Sequence, residues 1–439
     1  MKKTILLLLI SVNSILSYSQ EFNKAKMDSL FMLIDQNEKG MNSVSIFKDG
    51  KEVYQNSIGY ADVENQIKAN KDTKYRIGSI SKTFTATIIM KLVEQGRLSL
   101  DTKLSKYYPE IENAEKITIE HLLKHRSGIF NFTNAEDYVQ WMEKPISKKD
   151  LVEKIKNYGS SFEPNSKADY SNANYVLLSF IAETITEKSF TELIQNEICE
   201  PCNLSNTYYG GKINTPNNEA FSYYRLDGWE KATETDMTVP VGAGAIVSNP
   251  TDLNTFLNCL FNNVIVSDST LSKMMEIKDD YGIGMFIVPF YDKVAYGHTG
   301  GIDGFVSNAF YFPKENVSIS FNSNGQVIST DNILIGALSI YFNMYYALPE
   351  FKKTIHLTSE ELDKYLGTYS TPSFPLKINI TKKDNVLYAQ ATGQSEFPLT
   401  AVGDDTFIFE AADLEIKFLP KENKLIINQG GGTTELTKE

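Results

Sequence analysis

The stretch YRIGSISKTFTA at residues 75–86 decides the fold, because it places a hydroxyl and an amine one helical turn apart where a helix begins. Apolar residues recur at helical spacing over residues 80–94, and Gly96 provides a stop. We therefore expect Ser79 in the first turn, with Lys82 on the same face near the positive end of the helix dipole. A partly buried lysine can be neutral enough to take the serine proton, so the pair is a candidate activated nucleophile. The alternative is that Ser79 only caps the helix, since Ser-x-x-Lys often arises by chance.

Length and charge restrict the class of protein. The chain has 439 residues, more than one hydrophobic core usually serves, and its 42% apolar and 22% charged residues are typical of a soluble globular protein, so we expect two domains. The formal net charge is −12 and no basic run stands out, which argues against nucleic acid and anionic membranes as partners. We predict an export signal over residues 1–19, because two lysines precede an apolar run at residues 5–10 and small residues stand at 17 and 19. The apolar run is too short to span a bilayer, so we expect no transmembrane segment and a periplasmic or secreted protein.

The cysteines and histidines indicate neither a metal site nor a cofactor. The three cysteines are too few for a disulfide scaffold. Cys199 and Cys202 have redox-motif spacing but follow a predicted helix, which favours core packing and leaves a local disulfide open. The four histidines are not paired with acidic or cysteine ligands at metal-binding spacing. His121 and His125 share one face of a short helix predicted at 119–125, and we expect packing or hydrogen-bonding roles for both.

Two further stretches place polar groups where chemistry could occur. Tyr170 and Asn172 stand at the entry to an apolar helix predicted over 175–185, where they would project side by side and offer a phenol for proton transfer and an amide for hydrogen bonding. Asparagine before a helix is also an ordinary cap. The stretch YGHTGGIDGF at 296–305 lies between β-like runs, and its glycines allow a ligand to approach the backbone. A phosphate-binding loop is the rival interpretation, but no Lys-Ser/Thr and no helix pattern follow it.

The remaining pattern predicts strands around these sites and a second, all-β region. Asp49-Gly50 separates two alternating runs, as in a β-hairpin, and an almost wholly apolar helix is predicted over 333–348. After Pro349 short alternating segments follow one another between turn residues, which predicts a small antiparallel barrel or sandwich. We expect the domain boundaries at 20–349 and 350–439.

Together the three sites carry a resemblance to a known family. SISK at 79–82, YSN at 170–172 and HTG at 298–300, in this order and separation, resemble the signature elements of the serine β-lactamase and penicillin-binding protein superfamily, and most of all its class C-like branch. The resemblance covers about residues 40–348. It implies an α+β fold with a five-stranded antiparallel sheet, flanking helices and an inserted helical subdomain, with the active site in the groove between. Residues 365–369 resemble the start of the lipocalin-like β-domain that many members carry.

The resemblance also implies the chemistry. It implies a serine hydrolase that forms an acyl-enzyme on Ser79 and cleaves a peptide, amide or ester bond, as D-Ala-D-Ala carboxypeptidases, D-aminopeptidases, esterases and β-lactamases do. Lys82 and Tyr170 would share the proton transfer, and the resemblance leaves open which of them takes the serine proton. Asn172 would hydrogen-bond the amide of the acyl group. The backbone N–H groups of Ser79 and Gly301 would form the oxyanion hole.

The third signature element departs from the common pattern at its first residue. His298 stands where the family often has lysine, and Thr299 and Gly300 complete the strand that would wall the groove. We expect a protonated His298 to hold a substrate carboxylate, with binding that weakens as the pH rises through a pKa of about 6.5. The change argues against efficient β-lactam hydrolysis. An alternative of another class is a non-catalytic penicillin-fold protein that senses peptidoglycan fragments or β-lactams.

Overall fold

The computed structural model describes residues 22–225, 228–372, 374–403 and 405–439. The export signal predicted over residues 1–19 lies outside these ranges. Within them, no helix has both the length and the apolar character needed to cross a bilayer. The same residues contain no group of three or more His, Cys, Asp or Glu side chains arranged to hold a metal ion.

A six-stranded antiparallel sheet forms the centre of the larger part of the fold. Its strands are β1 (Gly40–Lys48), β2 (Lys51–Ile58), β3 (Phe286–Phe290), β4 (Lys293–Ile302), β5 (Phe305–Phe312) and β6 (Val317–Gln326). The spatial order is β3-β4-β5-β6-β1-β2, so the hairpin formed early in the chain pairs with the last strand of the sheet. Five strands were expected, and the additional one is β3, which pairs with the first half of β4.

The turn between β1 and β2 is the predicted hairpin. Asp49 and Gly50 both have positive φ angles, 50° and 73°, as a two-residue hairpin turn requires. Aspartate tolerates this left-handed conformation better than most residues, and glycine adopts it without steric cost. The prediction of a hairpin at this position is therefore confirmed.

Helices cover both faces of the sheet. One face packs against α1 (Lys24–Gln36) and α9 (Thr330–Tyr341), which share a core with the apolar residues of β1, β5 and β6. The other face packs against a larger helical region with its own core. The longer elements of that region are α2 (Ser81–Glu94), α3 (Ile119–Leu123), α4 (Lys148–Tyr158), α5 (Asn172–Thr186), α6 (Phe190–Ile194), α7 (Pro250–Phe261) and α8 (Asp268–Met274). Three shorter helices span Tyr138–Trp141, Glu200–Cys202 and Ser359–Leu362, and short strand pairs include Tyr75–Arg76 with Ile246–Ser248.

Two predicted helix ends were wrong. The helix predicted over 333–348 begins earlier, with Ser329 as its cap, and ends at Tyr341. It ends there because Asn343 adopts a left-handed conformation with φ 54°, which breaks the helical path although the residues beyond it remain apolar. The helix predicted over 119–125 likewise ends at Leu123, and His125 has φ 55°.

The C-terminal region is a closed eight-stranded antiparallel barrel. Its strands are β7 (Gly367–Thr371), β8 (Phe374–Lys383), β9 (Val386–Ala391), β10 (Phe397–Gly403), β11 (Thr406–Phe409), β12 (Leu414–Leu419), β13 (Lys424–Gln429) and β14 (Gly432–Lys438). β14 pairs back onto β7 and closes the barrel. Aromatic and leucine side chains fill its interior, among them Tyr365, Phe407, Phe418 and Leu425. The alternating pattern predicted a small antiparallel barrel or sandwich, and the structure has the barrel.

The cysteines do not form a local bridge. Cys202 is joined by a disulfide to Cys259 on α7, 57 residues away. Cys199 is a buried free thiol whose Sγ donates a hydrogen bond to the Thr207 carbonyl. The expectation that these cysteines pack in the core is confirmed, and a Cys199–Cys202 disulfide is not formed.

Candidate active site

The residue predicted as nucleophile lies on a tight turn ahead of α2. Ser79 is the middle residue of a 3₁₀ turn at Gly78–Ile80, two residues before the first residue of the α-helix and not inside its first turn as expected. Gly78 has φ 51°, and a Cβ there would lie 2.8 Å from the backbone nitrogen of Gly301. The turn therefore requires glycine, and it brings the backbones of the serine loop and of β4 into direct contact. Ser79 itself remains partly exposed.

Lys82 lies directly beneath the serine. Its Nζ is 2.9 Å from Ser79 Oγ, 2.7 Å from Asn172 Oδ1 and 2.8 Å from the Ala243 carbonyl oxygen, and the side chain is fully buried. Burial lowers the pKa of Lys82 well below its usual value. A neutral amine has two hydrogens and one lone pair. Because the amide and carbonyl oxygens can only accept, they take the two hydrogens, and the lone pair is left for the Ser79 hydroxyl.

The orientation of the Asn172 amide follows from its neighbours. The Asn172 backbone N–H donates to Asn131 Oδ1 at 3.0 Å, which identifies that atom of Asn131 as the oxygen. The Asn172 Nδ2 donates to the same oxygen at 3.2 Å and to Thr133 Oγ1 at 3.1 Å. Its Oδ1 must then face Lys82. Both amide hydrogens have protein partners, so in this structure Asn172 orients Lys82 and does not present its amide to the cleft as expected.

Tyr170 lies next to both members of the pair. It lines the cleft together with Ser79, whose side chain affects the pKa of its phenol, and Lys82 Nζ is 4.8 Å from the centre of its ring. Burial raises the pKa of Tyr170, and this effect outweighs the opposing effect of the Ser79 side chain. The phenol is therefore protonated at neutral pH and is suited to donate a proton.

The expectation for His298 was wrong. Its side chain is only 5% exposed, and this burial is the largest cause that lowers the pKa of His298 to about 3. Nδ1 lies 2.5 Å from the Thr299 carbonyl oxygen, which can only accept, so the ring proton is on Nδ1. At neutral pH the imidazole is uncharged. It cannot hold a substrate carboxylate as a cation.

The glycines of β4 serve two different purposes. A Cβ on Gly300 would lie 1.9 Å from the Ile77 carbonyl oxygen and 3.2 Å from the Ser79 nitrogen, so the absence of a side chain lets β4 pack against the serine turn. Gly301 has no atom within 4 Å of the equivalent position and is exposed. At Gly300, the close approach expected of a ligand is made by the backbone of this protein itself. Open space for a ligand lies at Gly301.

Comparisons with known proteins identify the family of this chain. Residues 32–335 match the sequence profile of the family described as Beta-lactamase. The chain belongs to the β-lactamase family. A penicillin-binding protein of Bacillus subtilis (strain 168) is 25% identical over 454 residues, covering 95% of this chain and 99% of that protein. The teichoic acid D-alanine hydrolase of Staphylococcus aureus (strain MRSA252) is 25% identical over 297 residues, covering 66% of this chain and 72% of that protein.

A solved structure shows the same fold. D-amino acid amidase from Ochrobactrum anthropi SV3, in complex with D-phenylalanine, superposes with a TM-score of 0.67 at 23% identity, covering 73% of this chain and 99% of the amidase chain. The β-lactamase fold with its antiparallel sheet and helical region is therefore established for this chain, and a closed barrel follows it.

In this β-lactamase-family protein the serine opens into a cleft of about 550 Å³. The lining residues are Ser79, Tyr170, Asp280, Tyr281, Phe286, Ile287, His298, Thr299 and Gly301. Among the lining residues that the structure describes, only Asp280 carries a formal charge. It belongs to a two-residue turn between Lys278 and Tyr281, and the neighbouring Asp279 is held by an ion pair with Arg126. Asp280 is exposed, and its backbone has a positive φ of 70°.

Several residues of the site were not predicted from the sequence. Asn131 and Thr133 fix the Asn172 amide, the Ala243 carbonyl binds Lys82, and the turn at Asp280 supplies part of the cleft wall. None of them carries a pattern that indicates chemistry.

Proposed function

We propose that the protein is a serine hydrolase that forms an acyl-enzyme on Ser79 and cleaves an amide or ester bond. The observation that carries the proposal is the buried Lys82, whose two other partners are both acceptors, so that its lone pair faces the Ser79 hydroxyl. The lysine takes the serine proton while the serine oxygen attacks the substrate carbonyl carbon. The backbone N–H groups of Ser79 and Gly301 stabilise the resulting oxyanion. Tyr170 passes a proton to the leaving group as the substrate bond breaks. Water then attacks the acyl carbon and gives a proton to the Tyr170 phenolate, and Lys82 returns its proton to the Ser79 oxygen as the bond to the acyl group breaks and the acid leaves.

We further propose that the preferred acyl group carries a free ammonium. The cleft offers an exposed carboxylate at Asp280, and His298, buried and neutral, adds no positive charge. An anionic substrate would therefore meet no cation among the described lining residues, whereas an aminoacyl ester or amide would find an opposite charge at the cleft mouth. The teichoic acid D-alanine hydrolase among the relatives bears a name that fits such a substrate, a D-alanyl ester. We also propose export through residues 1–19 and a boundary between the catalytic domain and the barrel at residue 349.

The test of the nucleophile is intact-protein mass spectrometry. The wild-type protein and the Ser79→Ala variant are incubated with benzylpenicillin and with D-alanine p-nitroanilide. We expect a covalent adduct and release of p-nitroaniline with the wild type, and neither with the variant. A variant that is still labelled would overturn the assignment of Ser79. A wild type that stays acylated and releases no p-nitroaniline would be a sensor and not a hydrolase.

The test of the substrate charge compares D-alanine p-nitroanilide with its N-acetyl derivative. We expect Asp280→Asn to lower the ratio of their kcat/KM values about fivefold, the usual size of one exposed ion pair. Asp384→Asn is the matched control, because Asp384 is also an exposed aspartate with positive φ in a two-residue turn, but on the barrel. A ratio that is unchanged in Asp280→Asn would contradict the proposed preference and leave the acyl-enzyme mechanism standing.

A further inference from the structure

His125 lies beneath the loop that carries Tyr170. It follows α3, is only 2% exposed, and has a left-handed backbone with φ 55°. The sequence predicted a packing or hydrogen-bonding role for it, and the structure confirms both. The centre of its ring also lies 5.3 Å from that of Tyr175 and 5.0 Å from that of Tyr281. Its shortest hydrogen bonds and its closest ring contact are with the segment 169–171, which carries the tyrosine of the proposed site.

Three contacts from this histidine surround Tyr170. The His125 carbonyl oxygen accepts a hydrogen bond from the Asp169 N–H at 2.8 Å, on one side of the tyrosine. The His125 Nδ1 accepts a hydrogen bond from the Ser171 N–H at 3.1 Å, on the other side. The imidazole stacks on the Tyr170 ring, with 4.4 Å between the ring centres and 30° between the planes. One residue thus holds the backbone before and after Tyr170 and the ring itself.

The protonation state of His125 is fixed by these contacts. A backbone N–H can only donate, so Nδ1 must be unprotonated to accept from Ser171. Burial lowers the pKa of His125 well below its usual value, which keeps the ring neutral. The hydrogen bond therefore persists across the pH range in which a solvent-exposed histidine would gain a proton.

We propose that His125 is a positioning residue for Tyr170, which it holds so that the phenol meets the Ser79 hydroxyl. The inference rests on the proposed function, because Tyr170 must take part in proton transfer for its position to matter. A displacement of about 1 Å at a proton-transfer group can cost about a hundredfold in rate. Loss of the stacked ring would leave Tyr170 free to move by that amount while the rest of the cleft remains in place.

The first experiment compares two histidines with the same substitution. Asparagine tolerates the left-handed backbone and can accept from Ser171, so His125→Asn removes chiefly the ring contact. We expect kcat for D-alanine p-nitroanilide to fall about 10-fold to 100-fold with KM within about twofold. His121→Asn is the control, because His121 lies four residues earlier and only caps α3 by accepting from the Thr118 N–H. We expect it to retain wild-type kcat. An equal loss in both variants would overturn the inference.

The second experiment is a double-mutant cycle with Tyr170→Phe. If His125 acts through the tyrosine hydroxyl, His125→Asn should change kcat by less than about twofold once that hydroxyl is absent. The same fold-loss in the wild-type and Tyr170→Phe backgrounds would show that His125 acts on activity by another route. That result would overturn the positioning role without affecting Ser79. A wild type that neither turns over the anilide nor reacts with benzylpenicillin would instead overturn the proposed function.

A measurement on the unmodified protein covers the case in which His125→Asn does not fold. The sequence has four histidines, so ¹⁵N-histidine labelling gives few signals, and a circular dichroism spectrum of each variant shows whether it is folded. We expect an unprotonated Nδ1 in the two histidines that accept a backbone N–H there, His121 and His125. The one of these two signals that persists in His121→Asn belongs to His125, and we expect it to remain neutral at pH 6. If the His125 signal shows a proton on Nδ1, the bond from Ser171 is absent and the inference is overturned.

Discussion

The Oδ1 of Asn172 lies 2.7 Å from the Nζ of Lys82, so the buried lysine is held by an amide and not by a carboxylate. An amide oxygen orients the amine without the Coulombic stabilisation that a carboxylate would give to its charged form. The Ala243 carbonyl has the same effect from another direction. This arrangement lets burial lower the pKa of Lys82, and a neutral lysine is what a base for Ser79 requires.

Asn172→Asp should therefore impair the base while keeping the shape of the site. A carboxylate at this position would hold Lys82 as an ammonium and raise its pKa, so more of the lysine would be protonated at neutral pH. We expect kcat/KM at pH 7 to fall by at least about tenfold, with activity recovering toward alkaline pH. The measurement is the pH profile of D-alanine p-nitroanilide hydrolysis, with the exposed Asn196→Asp as control. A profile with the wild-type midpoint would contradict a neutral Lys82.

The lowered pKa of Lys82 also predicts how stability depends on pH. Between the folded pKa and about 10.4, the unfolded lysine binds a proton that the folded one does not, so the free energy of unfolding rises with pH by about 1.4 kcal/mol per unit from this group. The Lys82→Met variant lacks this pH-dependent contribution to the free energy of unfolding. Urea unfolding of both proteins at pH 7, 8 and 9 should show the wild type gaining stability relative to the variant. A constant difference would mean that folded Lys82 carries a proton throughout.

The neutral His298 predicts that a carboxylate on the substrate brings no pH-dependent advantage. With a pKa of about 3, His298 stays uncharged from pH 5 to 8 and gains its charge only in acid. The kcat/KM ratio of N-succinyl-D-alanine p-nitroanilide to the N-acetyl derivative should thus stay flat over that range, in the wild type and in His298→Gln. A ratio that falls through about pH 6.5 in the wild type alone would restore the imidazolium as a carboxylate anchor.

Local patterns predicted most of the fold. The hairpin at Asp49-Gly50 and the alternating segments of the barrel both depend on neighbouring residues, and the structure contains each of them. Helix ends were less predictable. The end of α9 depends on the left-handed Asn343, and asparagine inside an apolar run does not by itself require that conformation.

The sequence predicted several residues of the site, but not their burial or their hydrogen-bond partners. Ser79 and Lys82 were found because three residues separate them, whereas Asn131 and Ala243 reach the same lysine network from distant parts of the chain. For His298 the sequence gives only the reference pKa of an exposed imidazole. The burial that shifts it comes from packing between β4 and the helical region, which no local pattern reveals.

Gly300 offers the most direct test of the contact between β4 and the serine turn. A methyl group there would lie 1.9 Å from the Ile77 carbonyl oxygen and 3.2 Å from the Ser79 nitrogen, so Gly300→Ala must push the strand away from the nucleophile. Because the proposed oxyanion hole uses one N–H from each side, we expect kcat/KM to fall by about a hundredfold or more.

The matched control for this substitution is Gly211→Ala. A Cβ on Gly211 would meet no atom within 4 Å, so the same change there should leave activity and stability close to wild type. Steady-state kinetics and thermal unfolding of both variants separate the two effects. If Gly300→Ala kept wild-type kcat/KM, the spacing between β4 and Ser79 would not matter for catalysis, and Gly301 would lose its place in the proposed oxyanion hole.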